Sequence, residues 1–131
     1  MQAFDVDLSS YQKEGSGSEV LLAVDKNYAG CIIVSDTLKE EAPKAIARIK
    51  GQNLKTVMLT GDALESAEKI AALAGVEEVH ARLLPEDKLS ELQKIREKDG
   101  SVMFVGDGIN DAPVLAGADV GAAMGSGADA A

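Results

Sequence analysis

The stretch V-M-F-V-G-D-G-I-N-D, residues 102–111, decides the predicted fold of this chain. Its four apolar residues, Val102–Val105, are typical of a short buried strand, and the glycines of Gly106–Gly108 predict a tight turn after it. Asp111 and Pro113 then favour the start of a helix. Open α/β sheets bind their ligands where a strand passes through a tight turn into a helix, outside the carboxyl ends of the strands.

Two carboxylates four residues apart, Asp107 and Asp111, flank this turn. Carboxylate oxygens are the ligands that Mg²⁺ prefers, and the glycines between them allow the backbone to approach a ligand closely. The alternative is a polar turn in which Asp111 only begins the next helix. Other residues of the chain are needed to distinguish a magnesium site from this simpler interpretation.

The composition is that of one globular domain. The chain has 131 residues, of which 46% are hydrophobic and only 3% aromatic, so alanine, valine, leucine and isoleucine must fill the core. The net charge of −9 argues against a nucleic-acid partner. No apolar run reaches the roughly 18 residues of a membrane span. Cys31 is the single cysteine and His80 the single histidine, so the sequence predicts neither an internal disulfide nor a zinc site.

The hydrophobic pattern predicts a β-hairpin and then alternating helices and strands. The hairpin consists of strands 19–25 and 30–35, joined by residues 26–29. The elements expected after it are helix 38–50 capped by Asp36-Thr37, strand 55–60, helix 63–74, strand 79–81, helix 85–98, strand 102–105, helix 110–116 and strand 119–123. Strands that alternate with helices predict an α/β fold with a parallel sheet and right-handed crossovers.

Polar side chains recur at comparable places in this pattern. Thr60-Gly61-Asp62 follows one predicted strand, Asp107 follows another, and Lys88 lies one turn into a helix that follows a third. Because the carboxyl ends of parallel strands meet at one edge of a sheet, these groups can converge there. Each also has a structural alternative: Thr60 as a helix cap, Asp62 as a favourable charge at a helix start, and Lys88 as a solvated lysine.

Together these groups suit a phosphoryl ligand. Thr60 can donate a hydrogen bond to a phosphate oxygen, and Lys88 can neutralise phosphate charge. Asp107 and Asp111 can hold Mg²⁺, while Asn110 donates to the same phosphate.

Three motifs in one order resemble those of the P-type cation-transporting ATPases, within the haloacid dehalogenase-like superfamily: Thr60–Asp62, Pro85–Lys88 and Gly106–Pro113. The resemblance extends from about Glu19 to the end of the chain, and its heavy-metal branch, near the zinc and cadmium exporters, is the most similar. It implies a Rossmann-like, haloacid dehalogenase-like parallel sheet with flanking helices. Residues 1–35 are then the tail of a nucleotide-binding domain, and residues 36–131 the second part of a phosphorylation domain.

The resemblance also implies roles for single residues. In the family an aspartate of a D-K-T-G-T motif attacks the γ-phosphate of ATP. Thr60, Gly61, Lys88 and Asn110 would bind that phosphate, Asp107 would bind Mg²⁺ with support from Asp111, and Thr60, Lys88 and Asp107 would be the catalytic residues. The hinge positions near the nucleotide would be Asp36, Lys39 and Asp62. ATP, Mg²⁺ and the rest of a longer ATPase, with its membrane domain, are the implied partners, and the cytoplasmic side of the cell membrane is the implied location, this part itself being soluble.

The chain departs from the family in one decisive respect, since it contains no D-K-T-G-T motif. In the superfamily fold the strand that carries this motif lies in the middle of the sheet. We therefore expect that this chain alone forms no phosphoenzyme. We also expect another segment to occupy the place of that strand: residues 3–6, the hairpin, or a neighbouring copy.

Two other functions remain open at this stage. Phe4–Asp7 resembles the D-x-D motif of soluble haloacid dehalogenase-like phosphatases, in which Asp5 would attack a phosphate ester and Asp7 would transfer the proton. The other possibility is a regulatory module that binds Mg²⁺ or phosphate without catalysis.

Overall fold

The computed structural model describes residues 6–12 and 18–125, which form an antiparallel hairpin and a set of alternating helices and parallel strands. The elements are β1 (Ser18–Val24), β2 (Asn27–Val34), α1 (Ala42–Lys50), β3 (Val57–Leu59), α2 (Leu64–Ala74), β4 (Glu78–His80), α3 (Pro85–Asp99), β5 (Met103–Gly106), α4 (Ala112–Gly117) and β6 (Val120–Ala123). The chain divides into two compact units, Met1–Lys39 and Glu40–Ala131.

The first unit contains the predicted hairpin with a tighter turn than expected. β1 and β2 pair antiparallel, with Val20 opposite Ile32. The turn consists of Asp25 and Lys26, with φ values of 50° and 65°, rather than of residues 26–29 as predicted. Two consecutive residues at positive φ match the twist of a two-residue hairpin turn, so β2 begins three residues earlier than its apolar run suggests.

The second unit contains two parallel strand pairs. β3 pairs with β4, with Val57 opposite Glu78, and β5 pairs with β6, with Met103 opposite Val120. The parallel α/β prediction is confirmed, but the strands do not form one continuous sheet. Among the residues that the structure describes, no hydrogen-bonded ladder joins β3 or β4 to β5 or β6.

Most helices begin and end close to their predicted bounds, but α1 begins four residues later than expected. Pro43 lies in its first turn. If the helix began at Leu38, Pro43 would lie in its interior, where its ring would clash with the preceding turn and its missing N–H would break the hydrogen-bond series. The first turn is the position that proline tolerates, so Pro43 rather than Asp36-Thr37 sets the start of α1.

Small and aliphatic side chains form the core, as the composition predicts. Among the described residues the buried apolar side chains are Ala67, Ala71 and Ala74 of α2, Leu92 and Ile95 of α3, and Val114 of α4. Gly117 leaves room for Leu89 where α3 and α4 meet, because a Cβ atom there would lie 2.6 Å from Leu89 Cδ1. The two helices that follow β4 and β5 are thereby packed against each other.

An ion-pair network links β4 to neighbouring elements. Lys55 Nζ lies 2.6 Å from Glu78 Oε2 and 2.8 Å from Asp99 Oδ2. His80 lies between two carboxylates, with Nε2 2.7 Å from Glu78 and Nδ1 2.9 Å from Glu91. The Lys55 ammonium, and after it the His80 ring, lower the pKa of Glu78 to about 2.

We expect this network to make stability depend on pH in acid. A carboxylate with a lowered pKa stabilises the folded chain above its unfolded pKa of about 4.5, and this contribution is lost as the pH falls towards 2. Urea unfolding should therefore show Glu78→Gln less stable than the original chain at pH 7, with the difference narrowing towards pH 3. Glu65→Gln is the matched control, since that side chain is 85% exposed and should show no such difference. A constant difference at every pH would contradict the prediction.

Candidate functional site

The turn after β5, residues 106–111, fixes the orientation of Asp107. Its Oδ1 accepts hydrogen bonds from the backbone N–H groups of Ile109 at 3.0 Å and Asn110 at 3.3 Å. Gly108 adopts a φ of +81°, which lets the chain turn back towards its own carboxylate. One oxygen of Asp107 is therefore held by the turn itself.

Asp111 packs directly on Gly106, the last residue of β5. A Cβ atom at position 106 would lie 2.9 Å from Asp111 Oδ2 and 2.9 Å from Phe104 Cε1. The glycine thus provides the space that the Asp111 carboxylate occupies beside the backbone. This is a physical reason for glycine at the first position of the G-D-G sequence.

We expect Gly106→Ala to displace the Asp111 carboxylate and to destabilise the fold by about 1–2 kcal/mol, as overpacking does. Urea unfolding measures the stability, and the ¹H–¹⁵N shifts of residues 107–111 report the displacement. Gly30→Ala serves as the control, because a Cβ atom there would meet nothing within 4 Å. Equal effects of the two substitutions would show that the space beside Gly106 is not needed.

Lys88 and Asp111 form an ion pair that joins α3 to the turn after β5. Lys88 Nζ lies 2.9 Å from Asp111 Oδ1, and the two side chains are only 19% and 15% exposed. Pro85 begins α3, and Asp87 Oδ2 accepts the N–H of Leu84, the residue before the helix, at 3.0 Å, which ties the entering chain to the first turn. A charge-assisted bond with this little exposure holds the ammonium in a defined place.

The residues after β3, Thr60–Asp62, form a loop attached to the chain just before α3. Leu83 N–H donates to the carbonyl of Thr60 at 3.0 Å, and Arg82 N–H donates to the carbonyl of Asp62 at 2.9 Å. A Cβ atom on Gly61 would lie 3.2 Å from Leu83 O, so glycine permits this approach. The side chains of Thr60 and Asp62 bond each other, Oγ1 donating to Oδ2 at 2.7 Å.

Contacts therefore link the loop after β3 to the residues before α3, and link α3 to the turn after β5. The loop of Thr60 is bonded to the residues that lead into α3, and Lys88 of α3 is paired with Asp111. Asn110 is exposed, with its backbone N–H given to Asp107. Among the described residues no group of three histidine, cysteine, aspartate or glutamate side chains is placed to hold a metal ion.

The other predicted positions belong to the first unit or lie outside the described residues. Asp36 and Lys39 lie between β2 and α1, in the first unit. Asp5 of the proposed D-x-D motif lies outside the described residues. Asp7 forms a bridge with Asn27, and its Oδ1 accepts the N–H of Ser9 at 2.9 Å, an arrangement that lowers the pKa of Asp7.

Arg82 is a residue of this region that the sequence pattern does not predict. Its φ of 57° is unusual for a residue with a long side chain, and it turns the chain so that two successive N–H groups meet the loop of Thr60. No turn residue such as glycine or asparagine marks this position, so no signal in the sequence predicts it. The sequence also assigned Asp62 to the hinge and did not identify it as the acceptor for Thr60.

Comparison with known proteins identifies the family of this chain. A model of the haloacid dehalogenase-like hydrolases matches residues 3–119. The chain belongs to the haloacid dehalogenase-like hydrolases. This membership fits the loops of Thr60 and Asp107, which carry two of the motifs on which the resemblance rested.

Relatives of this chain include heavy-metal-transporting ATPases. A cadmium, zinc and cobalt-transporting ATPase of Bacillus subtilis is 47% identical over 123 residues, covering 90% of this chain and 18% of that protein. A copper-transporting ATPase of Rhizobium meliloti is 44% identical over 130 residues, covering 95% of this chain and 16% of that protein. The chain thus spans less than a fifth of the length of these relatives.

Solved structures of heavy-metal ATPases also match this chain. The crystal structure of a zinc-transporting PIB-type ATPase in its E2.Pi state matches with a TM-score of 0.72 and 41% identity, over 85% of this chain and 18% of that one. The catalytic domain of the CPx-ATPase CopB-B matches with a TM-score of 0.63 and 30% identity, over 89% of this chain and 56% of that one. No helix among the described residues has the length and apolar character needed to cross a membrane.

Proposed function

We propose that this chain supplies the phosphate-binding and magnesium-binding residues for the aspartyl-phosphate step of a heavy-metal P-type ATPase, on the cytoplasmic side of the membrane. Thr60, Gly61, Lys88 and Asn110 would contact the phosphoryl group. Asp107 and Asp111 would hold Mg²⁺. The remainder of a longer ATPase, with its nucleotide-binding and membrane domains, is the partner that this proposal requires, and a zinc-like or cadmium-like cation is the proposed cargo.

The observation that carries the proposal is the ion pair between Lys88 and Asp111. It joins α3, whose Lys88 is expected to neutralise phosphate charge, to the turn after β5, which is expected to hold Mg²⁺. The same helix follows the residues bonded to the loop of Thr60. A hydroxyl, an ammonium and two carboxylates on connected loops are the groups that phosphoryl transfer uses for positioning and charge stabilisation.

The donor set also suits magnesium. Asp107 and Asp111 offer only oxygen ligands, and one oxygen of Asp107 is already oriented by two backbone N–H groups. Mg²⁺ commonly takes one or two carboxylates and completes its coordination with water and substrate phosphate. When bound, it supplies charge neutralisation for the phosphoryl oxygens, while Lys88 and Thr60 orient the group.

The two separate strand pairs of the second unit support the missing-strand part of the proposal. We propose that a strand bearing the D-K-T-G-T aspartate lies between the β3–β4 pair and the β5–β6 pair. Its absence from the 131 residues would leave the sheet divided in the way observed. Residues 3–6 or a neighbouring copy remain the proposed occupants of that place when this chain is alone. The hairpin does not, because β1 and β2 pair only with each other among the described strands. Residues 1–5 lie outside the described part.

A phosphate titration tests the proposal. Inorganic phosphate, added to the ¹⁵N-labelled chain with and without Mg²⁺, should shift the amides of Thr60, Lys88 and Asp107, and Mg²⁺ should increase the effect. Shifts confined to the unit Met1–Lys39, or none at all, would overturn it. With γ-labelled ATP we expect no acid-stable, hydroxylamine-labile adduct on this chain alone. Such an adduct would show that the nucleophile lies within these residues, with Asp5 the first candidate.

A further inference from the structure

Thr60 has one hydroxyl proton, and in this structure that proton is given to Asp62. Thr60 Oγ1 donates to Asp62 Oδ2 at 2.7 Å, and the backbone N–H of Asp62 donates back to Thr60 Oγ1 at 3.2 Å. A hydroxyl whose proton points at a carboxylate presents only lone pairs to any second acceptor. A phosphate oxygen at Thr60 would therefore meet an oxygen without a proton to donate.

Backbone hydrogen bonds fix the path of the loop that carries Thr60 and Asp62. The carbonyls of Thr60 and Asp62 accept hydrogen bonds from Leu83 and Arg82, and Thr60 N–H donates to the carbonyl of His80 at 2.9 Å. Gly61 lies so close to Leu83 O that a Cβ atom there would be 3.2 Å from it. The adjustable part is thus the bond between the two side chains, not the path of the chain.

Lys88 differs from Thr60 in this respect. It is also bonded to a carboxylate, Asp111, at 2.9 Å. An ammonium group has three N–H donors, so Lys88 can keep this pair and still donate to an anion. To donate to a phosphate oxygen, Thr60 has to give up its hydrogen bond to Asp62.

We propose that Asp62 is a positioning residue that limits anion binding at Thr60 by competing with phosphate for the hydroxyl proton. This inference rests on the proposed function, because it takes phosphate as the ligand of Thr60. The carboxylate adds a second effect in the same direction, since its negative charge repels a phosphate dianion nearby. Phosphate binding then requires the hydroxyl to turn away from Asp62.

The test is the dissociation constant of inorganic phosphate in the presence of Mg²⁺, followed by amide shifts. Asp62→Ala should lower this constant by about fivefold, the range of one net hydrogen bond. Asp62→Asn keeps the shape of the side chain with a weaker acceptor and should give a smaller decrease in the same direction. It also provides the test if the alanine variant does not fold. Glu65→Gln removes an exposed negative charge three residues away and controls for charge alone.

The Thr60→Val background separates competition from simple charge repulsion. There Asp62→Ala should give a smaller decrease than it gives in the chain with Thr60, because only the charge repulsion is relieved and no hydroxyl remains to be released. An equal decrease with and without the hydroxyl, or an unchanged constant in the Asp62 variants, would overturn the inference while leaving phosphate binding intact. Failure of every form of the chain to bind phosphate would instead overturn the proposed function, and this inference with it.

Discussion

Replacing Lys88 by methionine is expected to raise the dissociation constant of phosphate, measured with Mg²⁺, by at least about tenfold, because a charge-assisted hydrogen bond is lost. The substitution keeps the length and apolar stem of the side chain but removes the ammonium. It also leaves the mostly buried carboxylate of Asp111 without its partner at 2.9 Å. The amides of residues 106–111 should therefore shift even before phosphate is added.

Lys94→Met is the matched control on the same helix. Lys94 pairs with Glu91 at 2.6 Å and is mostly exposed, and the Glu91 carboxylate raises its pKa. Removing this ammonium changes the net charge by the same amount, so nonspecific attraction of phosphate falls equally in both variants. Phosphate affinity should change by less than about twofold in Lys94→Met, as for an exposed ion pair. Equal losses in the two variants would show that Lys88 contributes only long-range charge.

Local signals in the sequence account for most of the fold. Helix 85–98 is predicted from proline at its start and apolar residues at helical spacing, and the observed α3 ends one residue later. Gly75 ends α2 at the expected place with a φ of +83°. These features depend on neighbours along the chain, so a single sequence contains them. The positions of Thr60, Lys88 and Asp107 within the strand–loop–helix pattern follow from the same signals.

Features that depend on distant contacts are the ones that the sequence does not reveal. The parallel strands form two separate pairs, β3–β4 and β5–β6. This separation depends on what lies between the pairs, and the hydrophobic pattern of a single strand does not predict it. The positive φ of Arg82 arises from the bonds to the loop after β3, since arginine has no intrinsic preference for that conformation. The late start of α1 was readable from Pro43, but the cap-like Asp36-Thr37 pair gave a competing local signal.

The difference matters most for the candidate site. Spacing alone could nominate Thr60, Lys88 and Asp107 separately. Only the structure shows that Lys88 is held by Asp111 and that Thr60 is held by Asp62. Each proposed donor is thus paired with an acidic neighbour, and the chemistry of the site depends on how readily each pair admits a phosphate oxygen.

Leu92→Ala is expected to destabilise the chain by about 3 kcal/mol, within the range for a buried leucine replaced by alanine. Leu92 is 1% exposed and lies one helical turn after Lys88 on α3. A Cβ atom on Gly117, the last residue of α4, would lie 3.8 Å from Leu92 Cδ2. Leu92 therefore packs from α3, the helix that carries Lys88, against α4, the helix that follows Asp111.

Urea unfolding measures the loss, and amide shifts of Lys88 and Asp111 test whether it reaches the site. Leu73→Ala is the control: the same substitution at a side chain that is 66% exposed should change the stability by less than about 0.5 kcal/mol. Leu92→Met keeps most of the volume and should lose less than about 1.5 kcal/mol. If Leu92→Ala were no worse than Leu73→Ala, the packing of α3 on α4 would not be what holds the Lys88–Asp111 pair together.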